Sequence, residues 1–226
     1  EQGSSAIKEA LKDYENEYKA MFERQAAKAV QPKTILPPDP KTIWMEDVGL
    51  LGLGSNFKAA SIAGDLVVQN ARVRSVGEDA GGFYPISEKD LFDCEYWSLE
   101  QAKLGKGKAP VFQGKVVMVT GGSGTIGFET AKTFASLGAQ CFLIDVNQEN
   151  LDAAIEKLGK GHFGKALDVT DPKAAAEAIK SVIEAYGGLD ILVSNAGSAQ
   201  SGSMIDMASS SVRKAFELNF FSHYEF

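Results

Sequence analysis

The pattern of apolar and polar positions changes near residue 110 and divides the 226-residue chain into two halves. In the first half, apolar residues recur mostly at helical spacing. This spacing predicts helices over residues 6–29, 57–76 and 87–104, the last as two short helices or one bent helix. A short strand is predicted over residues 42–48, and the glycine-broken run at 49–54 is predicted to be a turn. The first half is therefore expected to be a mostly helical α+β segment.

In the second half, short β-branched runs alternate with amphipathic helical patterns. Strands are predicted over residues 116–119, 141–145, 163–167 and 189–193. Helices are predicted to end at Gly138, to run from Asn147 to Gly159 and from Asp171 to Gly187, and to begin again at Ser209 or Ser210. This alternation predicts α/β architecture with a doubly wound parallel sheet, an incomplete Rossmann fold with strand order 3-2-1-4. Its fourth strand would keep an unpaired apolar edge, which favours a homo-oligomer.

A polar, glycine-rich stretch ending at Pro110 separates the two patterns. Such a stretch is typical of a linker. We therefore predict two domains, residues 1–105 and residues 106–226.

Composition and charge exclude several classes of function. The net charge of −7 and pI near 5.0 argue against nucleic-acid binding, which needs a basic face. No membrane span or signal peptide is evident, and the isolated Cys94 and Cys141 suit a reducing compartment, so a cytoplasmic location is expected. The two histidines, His162 and His223, belong to no cluster with metal-ligand spacing, and no metal site is expected.

Four glycines follow the first predicted strand of the second half and precede a helix. Residues 122, 124 and 127 fit G-x-G-x-x-G, and residues 121, 124 and 127 fit G-x-x-G-x-x-G. Residues 121 and 127 also fit the outer positions of T-G-x-x-x-G-x-G, with Thr125 at the middle glycine position. A tight structural turn is the simpler alternative. The strand–turn–helix context favours a pyrophosphate site, because glycines let the backbone approach the phosphates and the helix N-terminus offers free N–H groups.

Polar residues also stand where the other predicted strands end. Asp145 ends the second strand, where a carboxylate accepts hydrogen bonds from ribose hydroxyls and repels a 2′-phosphate. No Arg or Lys lies in the glycine turn or directly after Asp145, which favours NAD over NADP. Asp168 follows the third strand, either as an adenine contact or as the cap of a turn. Asn195 follows the fourth strand and can fix its turn through main-chain bonds. Asn219, on an apolar helical stripe, is either a buried structural amide or part of a polar site.

These motifs, from Thr120-Gly121-Gly122-Ser123-Gly124-Thr125-Ile126-Gly127 to Leu218-Asn219, resemble the short-chain dehydrogenase/reductases in order and spacing. The resemblance implies a small-molecule substrate and these cofactor contacts: Gly121, Ser123, Gly124, Thr125, Ile126, Gly127, Asp145, Val146, Asp168, Val169, Asn195, Ala196 and Gly197. It also implies that Asn219 is the catalytic-site asparagine, which supports a proton relay. Thr125 departs from the family motif, as does Ser194 at the first Asn of Asn-Asn-Ala-Gly. The first departure is shared by the extended, epimerase-like branch.

The stretch from Asp90 to Leu104 resembles the junction in bifunctional rhamnulose-1-phosphate aldolase/short-chain dehydrogenase proteins. This resemblance implies that the first half is the tail of a zinc-dependent class II aldolase domain. Its zinc-binding histidines are expected upstream of Glu1, and the dehydrogenase's catalytic Ser, Tyr and Lys beyond Phe226. The chain alone is therefore expected to bind NAD weakly at best and to show no turnover. Its parent would act on a small hydroxy-aldehyde or a sugar-derived alcohol, such as lactaldehyde. The alternatives are an extended epimerase-like nucleotide-sugar enzyme and a non-catalytic dinucleotide-binding module.

Overall fold

The computed structural model describes residues 2–102, 109–203 and 205–226. The chain divides into two compact units. The first comprises Glu1–Gly54 and Ala59–Lys108, and the second comprises Ser55–Lys58 and Ala109–Phe226. The predicted boundary between residues 105 and 106 lies outside the described residues.

The first unit is mostly helical and contains one hairpin. Its elements are α1 Gln2–Ala26, β1 Thr42–Met45, β2 Gly49–Gly52, α2 Phe57–Asp79, α3 Glu88–Glu95 and α4 Ser98–Gln101. The strands pair antiparallel, with Ile43 opposite Leu51. The predicted turn at 49–54 was therefore wrong, since most of it is strand. A Cβ at Gly52 would lie 2.4 Å from the backbone of Ala60, so this glycine lets the strand approach α2 closely.

The core of the first unit forms where α1 meets α3. Met21, Phe92 and Tyr96 are buried there. The Tyr18 hydroxyl is bonded to the Tyr96 hydroxyl at 2.6 Å and donates to the Glu95 carboxylate at 2.8 Å. The buried aromatic rings thus keep partners for their polar ends.

The second unit is a four-stranded parallel sheet with helices. Its strands are β3 Val116–Thr120, β4 Gln140–Asp145, β5 Phe163–Ala166 and β6 Ile191–Val193. Its helices are α5 Thr125–Ser136, α6 Gln148–Leu158, α7 Ala174–Tyr186, α8 Ser209–Phe216, a π-helix Glu217–Phe221 and α9 Ser222–Glu225. The spatial order is β5-β4-β3-β6, which confirms the predicted order 3-2-1-4.

The sheet is buried on both faces. Val117 and Val119 of β3 point into one apolar cluster with α5 and α6, whereas Met118 points into the other with α7. Burial on both sides explains why β3 is a continuous apolar run instead of an alternating one. The polar residues of the sheet are therefore found mainly at the ends of its strands.

Two helices of the second unit differ from the prediction for a reason that the structure shows. The helix predicted to start at Asp171 begins at Ala174, because Asp171 instead closes a turn by accepting the Lys173 N–H on its carboxylate. The final helix changes to π-helical geometry at Glu217, so the predicted stripe of one continuous α-helix is broken. Asn219 lies in this π-helical segment and is exposed, so the first of its two predicted alternatives, a buried structural amide, was wrong.

Candidate functional site

A cleft of about 860 Å³ opens where the four parallel strands end. Each strand is followed by residues that line it: Gly121 after β3, Asp145 at the end of β4, Asp168 after β5 and Asn195 after β6. Ligands of doubly wound sheets occupy this carboxyl-end crevice. All the predicted cofactor residues except Ser123 line the cleft, and Asn219 does not line it.

Two glycines of the turn, Gly121 and Gly127, have no room for a side chain. Gly121 has a φ of +62°, which favours glycine. A Cβ at Gly127 would lie 2.2 Å from the Gly121 carbonyl oxygen and 2.8 Å from Asn195 Nδ2. Thr125 begins α5 and has no positive φ, so the threonine at the family's middle glycine position needs no special backbone conformation. The result is a backbone-lined cradle at the N-terminus of a helix, which suits an anionic phosphate.

Asp145 is bonded to the glycine turn. Its Oδ2 accepts the Ser123 N–H at 3.0 Å, and its Oδ1 accepts the Asn147 N–H at 3.2 Å. These bonds fix the half-buried carboxylate at the rim of the cleft.

Thr120 joins the ends of β3 and β6, a role that the sequence did not predict. Its buried hydroxyl accepts the Asn195 N–H at 2.9 Å and the Ala196 N–H at 3.0 Å. Asn195 Nδ2 in turn donates to the Thr120 carbonyl at 2.9 Å and the Gly121 carbonyl at 3.3 Å. Asn195 thus fixes its turn through main-chain bonds, as expected from its residue type.

Asn219 does not line the cleft but is hydrogen-bonded to a residue that does. Its amide is bonded in both directions to the backbone of Ser198, which lines the cleft. In this chain Asn219 therefore positions the segment after β6, and its catalytic role stays a prediction. Ser194, the second departure from the family motif, is hydrogen-bonded to His223 and does not line the cleft.

One wall of the cleft is a helix face that the sequence motifs did not predict. Ser211, Lys214, Ala215 and Leu218 line it at the spacing of successive helical turns. The remaining unpredicted lining residues are Leu167, Thr170, Ser198, Gln200 and Glu217. Helical periodicity marked α8 as amphipathic, but it could not say which side faces a ligand.

The cleft is lined by more acidic side chains than basic ones. Asp145, Asp168 and Glu217 are its carboxylates, and Lys214 is its one basic residue among the described lining. Asp168 Oδ1 accepts the N–H of Thr170 at 2.9 Å and its hydroxyl at 2.7 Å, so Asp168 caps a turn and also lines the cleft. The Lys214 ammonium has no hydrogen bond or ion pair within the described part of the chain and is free to meet an anion.

The buried titratable groups of this unit serve the fold. Burial raises the pKa of the Cys141 thiol to about 12, which keeps it protonated and unreactive. Burial lowers the pKa of His162, whose Nδ1 accepts the Cys141 N–H at 3.0 Å. Neither residue lines the cleft.

Within residues 2–102, 109–203 and 205–226, no group of three or more His, Cys, Asp or Glu side chains is arranged to hold a metal ion. No helix in these ranges has the length and apolar character needed to cross a membrane.

The chain is similar in sequence to known oxidoreductases. Over 201 residues the chain is 30% identical to the uncharacterized oxidoreductase YuxG of Bacillus subtilis (strain 168), covering 86% of this chain and 29% of that protein. It is 43% identical over 97 residues to the oxidoreductase UcpA of Escherichia coli (strain K12), covering 42% of this chain and 37% of that protein. The chain thus spans well under half the length of these relatives.

A solved structure of L-sorbose reductase from Gluconobacter frateurii, complexed with NADPH and L-sorbose, is 29% identical with a TM-score of 0.49, covering 52% of this chain and 46% of that one. Residues 1–104 match the family model "Aldolase class II, second domain", and residues 115–226 match the model "short chain dehydrogenase". The chain therefore joins an aldolase class II segment to a segment that belongs to the short-chain dehydrogenase family.

Proposed function

We propose that residues 115–226 bind NAD, as the cofactor-binding part of a short-chain oxidoreductase whose longer form is fused to a sugar-phosphate aldolase domain. The observation that carries this proposal is the pairing of a glycine cradle with Asp145 at the rim of one cleft. The cradle presents backbone to a pyrophosphate, and the carboxylate suits a ribose with both hydroxyls free.

Each wall of the cleft has a part in holding the dinucleotide. The turn from Gly121 to Gly127 would bind the pyrophosphate, and Asp145 with Val146 would bind the adenosine ribose. Asp168 and Val169 would flank the adenine, and Asn195, Ala196 and Gly197 would line the nicotinamide side. When bound, NAD supplies the hydride acceptor or donor. The chain's own residues bind and orient it.

The choice of NAD over NADP is tested by equilibrium binding of NADH and NADPH to this chain. We expect NADH to bind at least about tenfold more tightly, because Asp145 repels the additional 2′-phosphate of NADPH. Asp145→Asn should reduce the difference, whereas Asp152→Asn, at an exposed position on α6 outside the cleft, should not. Tighter binding of NADPH by the unaltered chain would reject the proposed cofactor.

The substrate we propose for the longer protein is a small hydroxy-aldehyde or a sugar-derived alcohol, such as lactaldehyde. The aldolase segment supports this choice, since aldol cleavage releases such an aldehyde. The test is NAD-linked turnover over a panel of hydroxy-aldehydes, by a protein that includes the segments flanking the matched ones in the relatives. This chain alone should show no turnover. We further propose that the protein forms a homo-oligomer through the edge of β6, which pairs only with β3 in the described sheet. We also propose that it is cytoplasmic.

Two alternatives rest on specific features. Gly121, Gly124 and Gly127 also fit the glycine spacing of epimerase-like nucleotide-sugar enzymes, and calorimetric binding of a nucleotide sugar would favour that class. A non-catalytic dinucleotide-binding module is the other alternative. A longer protein that binds NADH but turns over none of the panel would favour it.

A further inference from the structure

The first unit contains a second cleft, of about 530 Å³, between the end of α1, the segment that follows it, and α3. Its floor is aromatic. Phe92 and Tyr96 are buried, and Trp97 exposes 49% of its surface. A flat, half-exposed indole beside buried rings offers an apolar surface to the organic part of a ligand.

The rim of this cleft is positively charged although the chain carries a net charge of −7. Lys28, Lys33 and Lys89 line it, and Asp93 is its one acidic residue among the described lining. Lys89 is paired with Asp93. The ammonium groups of Lys28 and Lys33 have no hydrogen bond or ion pair within the described residues.

The Glu88 carboxylate, which interacts electrostatically with Lys28, already has other partners. Glu88 accepts a hydrogen bond from Arg24 at 2.7 Å and another from Gln25 at 2.6 Å. These bonds, with the charges of Arg24 and Lys28, lower the pKa of Glu88 to about 2. Glu88 lies outside the lining of the cleft, so Lys28 and Lys33 retain an excess of positive charge there.

The walls of the cleft are fixed by contacts between residues far apart in the sequence. Gln101 Oε1 accepts the Thr34 N–H at 2.7 Å, and its Nε2 donates to the Thr34 carbonyl at 3.1 Å. The Leu36 N–H lies 3.4 Å from the Tyr96 hydroxyl. The segment that carries Lys33 is therefore held before any ligand arrives, which lowers the entropy lost on binding.

We propose that this cleft binds a phosphorylated small molecule, with Lys28 and Lys33 as ligands of the phosphate and Trp97 against the organic part. Two free ammonium groups match the two negative charges of a phosphate monoester, and lysine binds phosphate as a point charge. The proposal rests on the first unit alone and is independent of the dinucleotide cleft.

The test uses the tryptophan fluorescence of the chain, whose two tryptophans both lie in the first unit. Trp44, which packs under Arg74 in that unit, is replaced by Phe, so that Trp97 is the single reporter. The variant is titrated with phenyl phosphate, inorganic phosphate and uncharged phenol. We expect a saturable change with both phosphates, tighter binding of phenyl phosphate, and none with phenol at the same concentrations. Calorimetric titration of the unaltered chain gives the same affinities without the Trp44→Phe change.

Two double variants that remove the same charge test whether Lys28 and Lys33 form the phosphate site. Lys28→Gln with Lys33→Gln should weaken phenyl phosphate binding at least about tenfold, because a dianion loses both counter-charges. Lys8→Gln with Lys12→Gln, at exposed positions of α1 outside the cleft, removes the same charge and should leave the affinity within about twofold. Absence of a saturable signal, or equal losses in the two double variants, would overturn the proposal.

Discussion

The side-chain amide of Asn219 holds the backbone of Ser198 from both sides. Its Oδ1 accepts the Ser198 N–H at 2.9 Å, and its Nδ2 donates to the Ser198 carbonyl at 2.7 Å. A Cβ at the neighbouring Gly197 would lie 3.0 Å from the same Oδ1. The Asn219 amide therefore packs closely against the backbone of both Gly197 and Ser198. The segment after β6 is thus fixed by Thr120 at its start and by Asn219 at its end.

Asn219→Ala should loosen this segment. It removes two exposed hydrogen bonds, which together stabilise it by about 1–2 kcal/mol. We expect faster amide hydrogen exchange at Ser198 and weaker binding of NADH by a few fold. Asn150→Ala, at an exposed position on α6 outside the cleft, serves as control. Unchanged protection of the Ser198 amide would contradict the positioning role.

Gly127→Ala should destabilise the second unit. The new Cβ would lie 2.2 Å from the Gly121 oxygen, so either the glycine turn or α5 must move. We expect a loss of about 1–3 kcal/mol in the free energy of unfolding, measured by denaturant titration. Gly188→Ala is the matched control, since a Cβ there meets no atom within 4 Å. Equal stability of the two variants would show that the turn tolerates a side chain.

Lys214→Gln should weaken binding of ADP, the half of the dinucleotide that carries the pyrophosphate. Lys214 is the one basic residue among the described lining, and its removal leaves the acidic groups of the cleft unopposed. At low salt we expect a loss of roughly 1 kcal/mol, or about fivefold in affinity, that shrinks as salt is added.

Arg213→Gln is the control for that loss, because Arg213 is the exposed neighbour outside the cleft and carries the same charge. A loss of the same size in both variants would point to a general charge effect instead of a contact. If the unaltered chain does not bind ADP, the proposed dinucleotide site itself is wrong.

Asp190→Asn should destabilise the second unit in a pH-dependent way. Asp190 Oδ2 accepts the Val116 N–H at 2.9 Å and Oδ1 accepts from Lys115 at 2.9 Å, which joins the starts of β3 and β6. The Val116 hydrogen bond first, and then Lys115, lower the pKa of Asp190 below its usual 3.8. A carboxylate with a lowered pKa contributes stability that is present above its unfolded-state pKa and is lost as the pH falls through the folded-state pKa.

The difference in stability between the unaltered chain and Asp190→Asn should therefore be full above about pH 5 and vanish progressively below the usual Asp value. Denaturant titrations across this range measure it. Asp206→Asn, an exposed residue without a side-chain bond among the described contacts, should show no such dependence. A difference that stays constant down to acid pH would mean that the carboxylate bonds are not the cause.

The sequence by itself determined the sheet, its strand order and the main residues of the cleft. Strand and helix periods are local, and β3, β4 and β6 are apolar enough to be identified without knowing their neighbours. Gly121, Asp145, Asp168 and Asn195 follow strands, and parallel strands bring their carboxyl ends to one edge. The pattern therefore placed these residues in one cleft, as the structure does.

Only the tertiary structure decided what these residues touch. Thr120 and Asn195 are 75 positions apart, and no local pattern pairs the Thr120 hydroxyl with two N–H groups of another strand's turn. The side of α8 that faces the cleft, with Lys214, and the pairing of β2 with β1 likewise depend on contacts that no local pattern specifies. Periodicity specifies which element forms and which face is apolar, whereas polar contacts between distant segments depend on how the packed elements align their ends.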